Sequence, residues 1–276
     1  MDSFFFQPVG ASATTPRQDF ASDPNVNMDA SACYGVFHEP QGHFMADHAV
    51  LFLYPWGQEY VRSHRAIRKI ALYLETKGVP SLRFDYRGTG DSGGQDTALN
   101  LETAVTDAQS ALRLLQTLSG TQSVRVCAIR FGALVAFKAF SQERSVKELV
   151  CWDPVLVGQQ YTAELLSPQT TSRIQHKDDW WINGYPLSSN LQNTLNAANV
   201  LADDWQTDVT IYGSEQTPTF VQWIQQRQQH GQSIKTEHCF AAGERLEWGS
   251  INTVGGFINP AAIVQSLEQR LAIGDL

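Results

Sequence analysis

Residues 126–133 read VCAIRFGA, and the arginine in that run stands where its surroundings ask for a nucleophile. SVRV (123–126) leads in and GALVAFKAF (132–140) leads out, which predicts a strand, a sharp turn and a helix. That is the setting of the nucleophile elbow, whose small-x-nucleophile-x-small pattern falls here on Ala128, Ile129, Arg130, Phe131 and Gly132. The small residues are present and the nucleophile is not. A guanidinium stays protonated and offers five donors but no lone pair for attack, so Arg130 excludes ordinary acyl-enzyme chemistry at this turn. On the tip of such a turn, beside the positive end of a helix, it must meet an anion. That anion is Glu59, Asp153 or another carboxylate of the chain, or else a ligand's carboxylate or phosphate.

The elements that position Arg130 alternate along the chain from about residue 49. AVLFLYP (49–55), SLRFD (81–85), SVRVCAI (123–129), ELVCWD (148–153), DVTIYG (208–213) and SIKTEHCF (233–240) read as strands. Helical spacing links Ile67, Ile70, Ala71 and Leu74, then Leu101, Ala104, Ala108, Leu112 and Leu115, and finally Ile263, Val264, Leu267 and Leu271. The order predicts an α/β fold with a mostly parallel sheet and helices on both faces, with function at the carboxyl ends of the strands. Charged residues crowd those ends: Glu59, Arg62 and His64 after AVLFLYP, Asp85 after SLRF, Arg130, and Asp153 after ELVCW. Buried charges persist only when paired or functional, so the cluster is a salt-bridge network or a polar binding site. Glu59 and Arg62, three apart, also have the spacing of a surface pair, and an acid at a helix start suits the macrodipole.

Residues 158–206 break the rhythm, being rich in Gln, Asn, Ser and Thr and carrying Trp180, Trp181 and Tyr185. They are expected to form a cap inserted into a core of residues 31–157 and 207–276, its aromatics packing it down or facing a ligand. Residues 1–30, with little periodicity over 11–27, are expected to form an N-terminal arm.

The chain of 276 residues suits one large domain or a domain with an inserted cap. A net charge of −8 and the lack of a basic run interleaved with aromatics argue against a nucleic-acid partner. Asp2 ahead of a very short apolar patch argues against a signal peptide, and no apolar run approaches the ~20 residues that span a bilayer. Cys33, Cys127, Cys151 and Cys239 lack CxxC pairing, which predicts reduced thiols and a cytoplasmic location. Seven scattered histidines predict no metal site, and GTGDSGG matches neither a Walker loop nor a dinucleotide fingerprint, so no cofactor is expected.

The α/β order, the elbow-like turn and FDYRGTGDSGG (84–94) together resemble the α/β-hydrolase fold. Four segments carry a closer resemblance: residues 54–94 (YPWGQEYVRSHRAIRKIALYLETKGVPSLRFDYRGTGDSGG), AIRFGA (128–133), CWDPVLVGQQYTAEL (151–165) and INGYPLSS (182–189). They are similar to the hydrolase-like proteins associated with exosortase A systems, a branch of the serine aminopeptidase-like group whose members also tend to show arginine at the elbow. The resemblance implies a triad acid after DVTIYG, where the chain reads Ser214, Glu215 and Gln216, and a base between the last strand and the last helix. Residues 239–260 hold no histidine, and His238 lies inside the expected strand. Asp153 occupies the alternative acid position, while Gly57 beside Trp56, and the amide of Phe131, match the oxyanion donors. Asp85 and Ser92 read first as residues that hold their turn.

The expected function is accordingly a hydrolase-like protein without a serine relay that binds an acyl, ester or carboxylate-bearing intermediate of a biosynthetic pathway. The candidate catalytic residues are Arg130, Glu59, His64 and Asp153, with Gly57, Phe131, Trp56 and Arg62 binding substrate. The alternative is a pseudoenzyme that scaffolds a partner, such as a carrier protein. An ordinary esterase using Ser92 or Ser214 with His238 is the third reading.

Overall fold

The computed structural model describes residues 2–8, 31–40, 45–167, 172–213, 218–238, 246, 248 and 260–273. Eight strands form one sheet: β1 (Asp2–Phe6), β2 (Cys33–His38), β3 (Ala49–Leu53), β4 (Ser81–Phe84), β5 (Val124–Ile129), β6 (Val146–Trp152), β10 (Asp208–Gly213) and β11 (Ile234–His238). Their spatial order is β1-β2-β4-β3-β5-β6-β10-β11. From β4 to β11 every pairing is parallel; β1 and β2 add an antiparallel edge. The five residues of β3, AVLFL, are all fully buried, as befits a central parallel strand covered on both faces.

Crossover helices join these strands, namely α1 (Gln58–Thr76), α2 (Leu101–Ser119), α3 (Phe131–Phe140) and α6 (Pro218–Gln229), and α7 (Ala261–Ala272) follows the last of them. Both α1 and α2 lean on β4, yet α1 pairs with α7 and α2 with α3, so the helices cover both faces of the sheet. The start of α2 is fixed by a capping box, with Asn100 Oδ1 accepting from the Thr103 amide at 2.9 Å and the Thr103 hydroxyl accepting from the Asn100 amide at 3.1 Å. The helix ends on Gly120, whose φ of 71° places it in the left-handed region that glycine adopts without strain.

Between β6 and β10 lie α4 (Gly158–Leu165), a small antiparallel sheet of β7 (Arg173–His176), β8 (Asp179–Ile182) and β9 (Tyr185–Leu187), and α5 (Ser189–Asn196). Helices α4 and α5 meet so closely that a Cβ on Gly158 would lie 2.0 Å from the carbonyl oxygen of Leu195. Trp180 and Tyr185 pack partly buried against the main core.

Two features differ from the expectation. The first residues of the segment read as an arm form β1, whose Phe4 and Phe6 are buried in the main core. Its apolar run is too short for periodicity to register, and only the partner β2 gives it a face to bury. The Gln-rich helix α6 likewise lacks an obvious apolar stripe, its burial resting on Trp223 and Ile224. Among the described residues no helix is long and apolar enough to cross a membrane.

Candidate functional site

Arg130 sits between β5 and α3 with φ 51° and ψ −117°, in the half of backbone space that side chains with a Cβ rarely occupy. Its amide donates to the Trp152 carbonyl at 3.1 Å, and its carbonyl accepts from Val155 at 3.2 Å and Ala133 at 3.0 Å. Such a conformation costs on the order of 1–3 kcal/mol and survives where surrounding bonds over-determine it. Gly132 makes the turn possible, because a Cβ there would lie 2.4 Å from the Leu53 carbonyl oxygen and 2.8 Å from that of Tyr54. The first turn of α3 therefore rests directly on the end of β3. Asp153, at the end of the adjacent β6, also has a positive φ of 45°.

The elbow presents the guanidinium to two carboxylates. Arg130 Nε donates to Glu59 Oε1 at 3.0 Å, and Nη2 donates to Glu164 Oε1 at 2.7 Å. The Tyr161 hydroxyl donates to the other oxygen of Glu59 at 2.9 Å. The Tyr161 and Trp248 rings lie 5.3 and 5.7 Å from the guanidinium carbon, within cation–π range. Glu59 comes from the first turn of α1, whereas Tyr161 and Glu164 come from α4. Burial raises the Glu59 carboxyl above the usual range; Arg130 pulls it back down and Glu164 pushes it up again. Burial works against the charge on Arg130, but Glu59 and Glu164 more than offset it and hold the guanidinium firmly protonated.

The reading of Glu59 and Arg62 as a surface pair is corrected by their burial, with only 4% and 6% of each exposed. Arg62 Nη1 donates to the Trp248 carbonyl at 2.7 Å. Asp153, a candidate counter-ion for Arg130, instead accepts from the Trp248 indole at 2.8 Å, so Arg62 holds the backbone and Asp153 the ring of the same residue beside the guanidinium. His64 joins a different cluster, stacked on Tyr54 at 5.9 Å and tilted against Tyr60, and its pKa is lowered by burial and then by Arg83. Asp85 accepts from the Tyr60 hydroxyl and the Asp91 amide, both at 3.0 Å, and burial pushes its pKa up to about 6. The Ser92 hydroxyl donates to the Asp85 carbonyl at 2.6 Å and accepts from the Tyr34 amide at 2.8 Å; it is part of the turn.

Gly57, with φ 62°, precedes α1 as Arg130 precedes α3, so two helix N-termini open beside the guanidinium. Phe131 has a fully buried side chain, packed edge-on against Tyr86, which leaves its amide as the group relevant to a ligand. Trp56 meets Tyr185 edge-on at 6.5 Å. A cavity of about 20 Å³, room for a water molecule, lies between Trp56, Gln58, Glu59 and Trp248 on one side and Glu164, Leu165, Ile182 and Asn183 on the other. The triad positions Ser214, Glu215 and Gln216 lie outside the described residues, as does all of 239–260 except Leu246, Trp248 and Pro260. His238 pairs through its backbone with Gly213. No group of residues suited to hold a metal occurs among the described residues.

Sequence reasoning missed Glu164, Tyr161 and Trp248. YTAEL gave a weak signal for the first two, since a Tyr and a Glu three apart project from one face of a short helix.

A family model described as serine aminopeptidase, S33, matches residues 60–232. No curated protein matches the chain by sequence. Among solved structures, Est1E from Butyrivibrio proteoclasticus with ferulic acid bound is 15% identical, with a TM-score of 0.66 over 88% of this chain and 96% of that one. An esterase from Pyrococcus furiosus is 16% identical, with a TM-score of 0.58 over 87% and 85% of the two chains. An alpha-beta serine hydrolase homologue from Coxiella burnetii is 14% identical, with a TM-score of 0.53 over 89% and 95%. These likenesses establish the α/β-hydrolase fold.

Proposed function

Because the chain belongs to the serine aminopeptidase, S33, family of α/β-hydrolases, we propose that it is a member without the Ser-His-acid relay, binding an acyl, ester or carboxylate-bearing small molecule at Arg130. The observation that carries this reading is the strained elbow itself: a backbone with φ 51° is retained while the side chain it presents is a guanidinium. An ion pair needs no such strain, whereas presenting a group to the space above the strand ends does.

In this reading residues 158–206 are the cap, Arg130 anchors the anion, and the amides near Gly57 and Phe131 receive negative charge on an acyl oxygen. Glu59 is the acid or base, because Tyr161 and Arg130 fix both of its oxygens and burial raises its pKa. General acid or base catalysis on a positioned substrate contributes on the order of a hundredfold or more without a covalent nucleophile. Asp153 and Arg62 act through Trp248, and Trp56 forms the wall. The resemblance to exosortase-associated proteins supports a role on a biosynthetic intermediate, possession of the fold alone being silent on substrate.

A second reading, a pseudo-hydrolase that grips a partner such as a carrier protein, draws on the pairing of Arg130 with two glutamates around a cavity of about 20 Å³. Melting temperatures of wild type and Arg130→Lys with acyl, amino-acid and phosphopantetheine-bearing compounds separate the two. Lysine keeps the charge and loses the planar fork. A compound that raises the wild-type melting temperature by several degrees at saturation, with a smaller shift in the variant, is the expected outcome. A silent panel, or equal shifts in both proteins, would contradict it.

A further inference from the structure

At the start of β6 and β10, the end of the sheet opposite the elbow, a cavity of about 480 Å³ opens between the turn that joins α3 to β6, the first residues of β10 and α7. That volume suits a small organic ligand, whereas the space beside Arg130 admits a water molecule. Its wall centres on Glu148, which is 3% exposed. One oxygen of that carboxylate is crowded: Oε1 accepts from the Thr210 hydroxyl at 2.6 Å, from Arg270 Nε at 2.8 Å and from Arg270 Nη2 at 2.6 Å. The other is bare. Oε2 is buried and accepts no hydrogen bond, and Arg125 Nε stands 3.7 Å away, beyond hydrogen-bond reach. A charged oxygen held out of water calls for a donor, and none of the described residues supplies one.

The rest of the wall carries both signs. Arg144, Lys147 and Arg270 are its cations; Glu143, Glu148 and Asp208 are its anions. Some of these charges are engaged, since Glu143 accepts from the Ser145 amide at 3.1 Å and hydroxyl at 2.9 Å, and Glu148 takes Arg270. Lys147 Nζ reaches the Arg144 carbonyl at 3.2 Å. The Arg144 guanidinium and the Asp208 carboxylate are exposed and meet no partner among the described residues. Carbonyls at the neighbouring helix ends are already bonded, those of Arg270 and Ile273 by Arg125 and that of Ser141 by the Gln206 amide. A ligand of one sign therefore fits half of this wall and is repelled by the other half. A phosphate meets three carboxylates, and a polyamine meets three cations.

We propose that this cavity binds a zwitterion, an amino acid or short peptide with both ends free, its ammonium at Glu148 and Asp208 and its carboxylate at Arg144 and Lys147. Glu148 and Asp208 are register partners on adjacent parallel strands, so the two carboxylates enter the cavity from one edge. An ammonium has three donors, enough for Asp208 and for the bare Oε2 of Glu148. Arg144 and Lys147 belong to one turn, where a guanidinium fork with no other partner is free to take a carboxylate through two bonds. The site is independent of the role given to Arg130, and the ligand would act on the fold from the far end of the sheet.

Isothermal titration of the full chain with L-leucine, L-glutamine and leucylglycine, each also in N-acetylated and C-amidated form, tests the proposal. Arg144 and Asp208 are exposed, so Arg144→Gln and Asp208→Asn leave the fold intact. At least one free zwitterion is expected to bind wild type, and blocking either of its ends should weaken binding roughly tenfold or more, the scale of one charge-assisted hydrogen bond. The amide should bind Arg144→Gln as it binds wild type, and the N-acetyl form should bind Asp208→Asn as it binds wild type, which assigns each end of the ligand to its partner. Silence of every free zwitterion overturns the proposal. So does zwitterion binding that both variants retain at full strength, or tighter binding of inorganic phosphate or spermidine, which would mark a site of a single sign.

Discussion

Replacing Arg130 with alanine is expected to destabilise the protein by about 3 kcal/mol or more, because it removes the countercharge from a buried carboxylate. Glu59 is 4% exposed and would keep the Tyr161 hydroxyl while losing the guanidinium at 3.0 Å. Relief of backbone strain at the elbow gives nothing back, since alanine is no better suited to φ 51° than arginine. In a chain of 276 residues a loss of that size lowers the melting temperature by about 10 °C. Adding Glu59→Gln should restore much of the loss, since an amide can still accept from Tyr161 and carries no charge. The loss should also depend on pH with a definite sign. Burial already raises the Glu59 carboxyl, and without Arg130 it rises further, so the native variant retains a proton that the unfolded chain gives up near pH 4.3. The variant is therefore closest to wild type below that pH and falls behind as pH rises through the folded-state pKa. Thermal unfolding of wild type, single variants and double variant between pH 4 and 8 checks both parts. A double variant as unstable as Arg130→Ala would show that the cost is not electrostatic.

The second large effect belongs to Gly132→Ala. Its added Cβ would lie 2.4 Å from the Leu53 carbonyl oxygen, and 2.8 Å from both the Leu53 carbonyl carbon and the Tyr54 oxygen, all of them backbone atoms. No rotamer change relieves such a contact, so α3 must move off the end of β3. Overpacking of this kind costs ~1–3 kcal/mol where side chains can yield, and the rigid neighbours here place the loss at or above the upper figure. The shift also carries Arg130, since the Ala133 amide bonds its carbonyl at 3.0 Å. Melting temperature and any carboxylate affinity should fall together in this variant. A variant with wild-type stability would mean that α3 does not rest on β3 as described.

Much of the site was legible because it hangs on features that are local in sequence. Ala128 and Gly132 flank Arg130 at elbow spacing, and Glu59 follows a run that can only be a buried strand, so their meeting at the strand ends follows from the α/β order. The rest depends on contacts across long separations. Glu164 and Tyr161 reach Arg130 from a polar insertion whose two short helices and three short strands carry little periodicity. Trp248 enters from a stretch far along the chain, and its carbonyl and indole meet Arg62 and Asp153, a convergence that spacing cannot show. Spacing alone made Arg62 look like a surface partner of Glu59. The edge strand β1 was missed for the same reason, because five residues acquire meaning only beside β2.

The central claim is that the elbow presents an anion-binding cation and that no serine serves as a nucleophile. Intact-mass measurement of the native protein after exposure to a fluorophosphonate, under conditions that fully label an ordinary serine esterase, tests it most directly. An unchanged mass is the predicted result. One stoichiometric adduct, mapped to Ser92, Ser214 or any other serine, would contradict it and return the protein to the hydrolases that work through an acyl-enzyme.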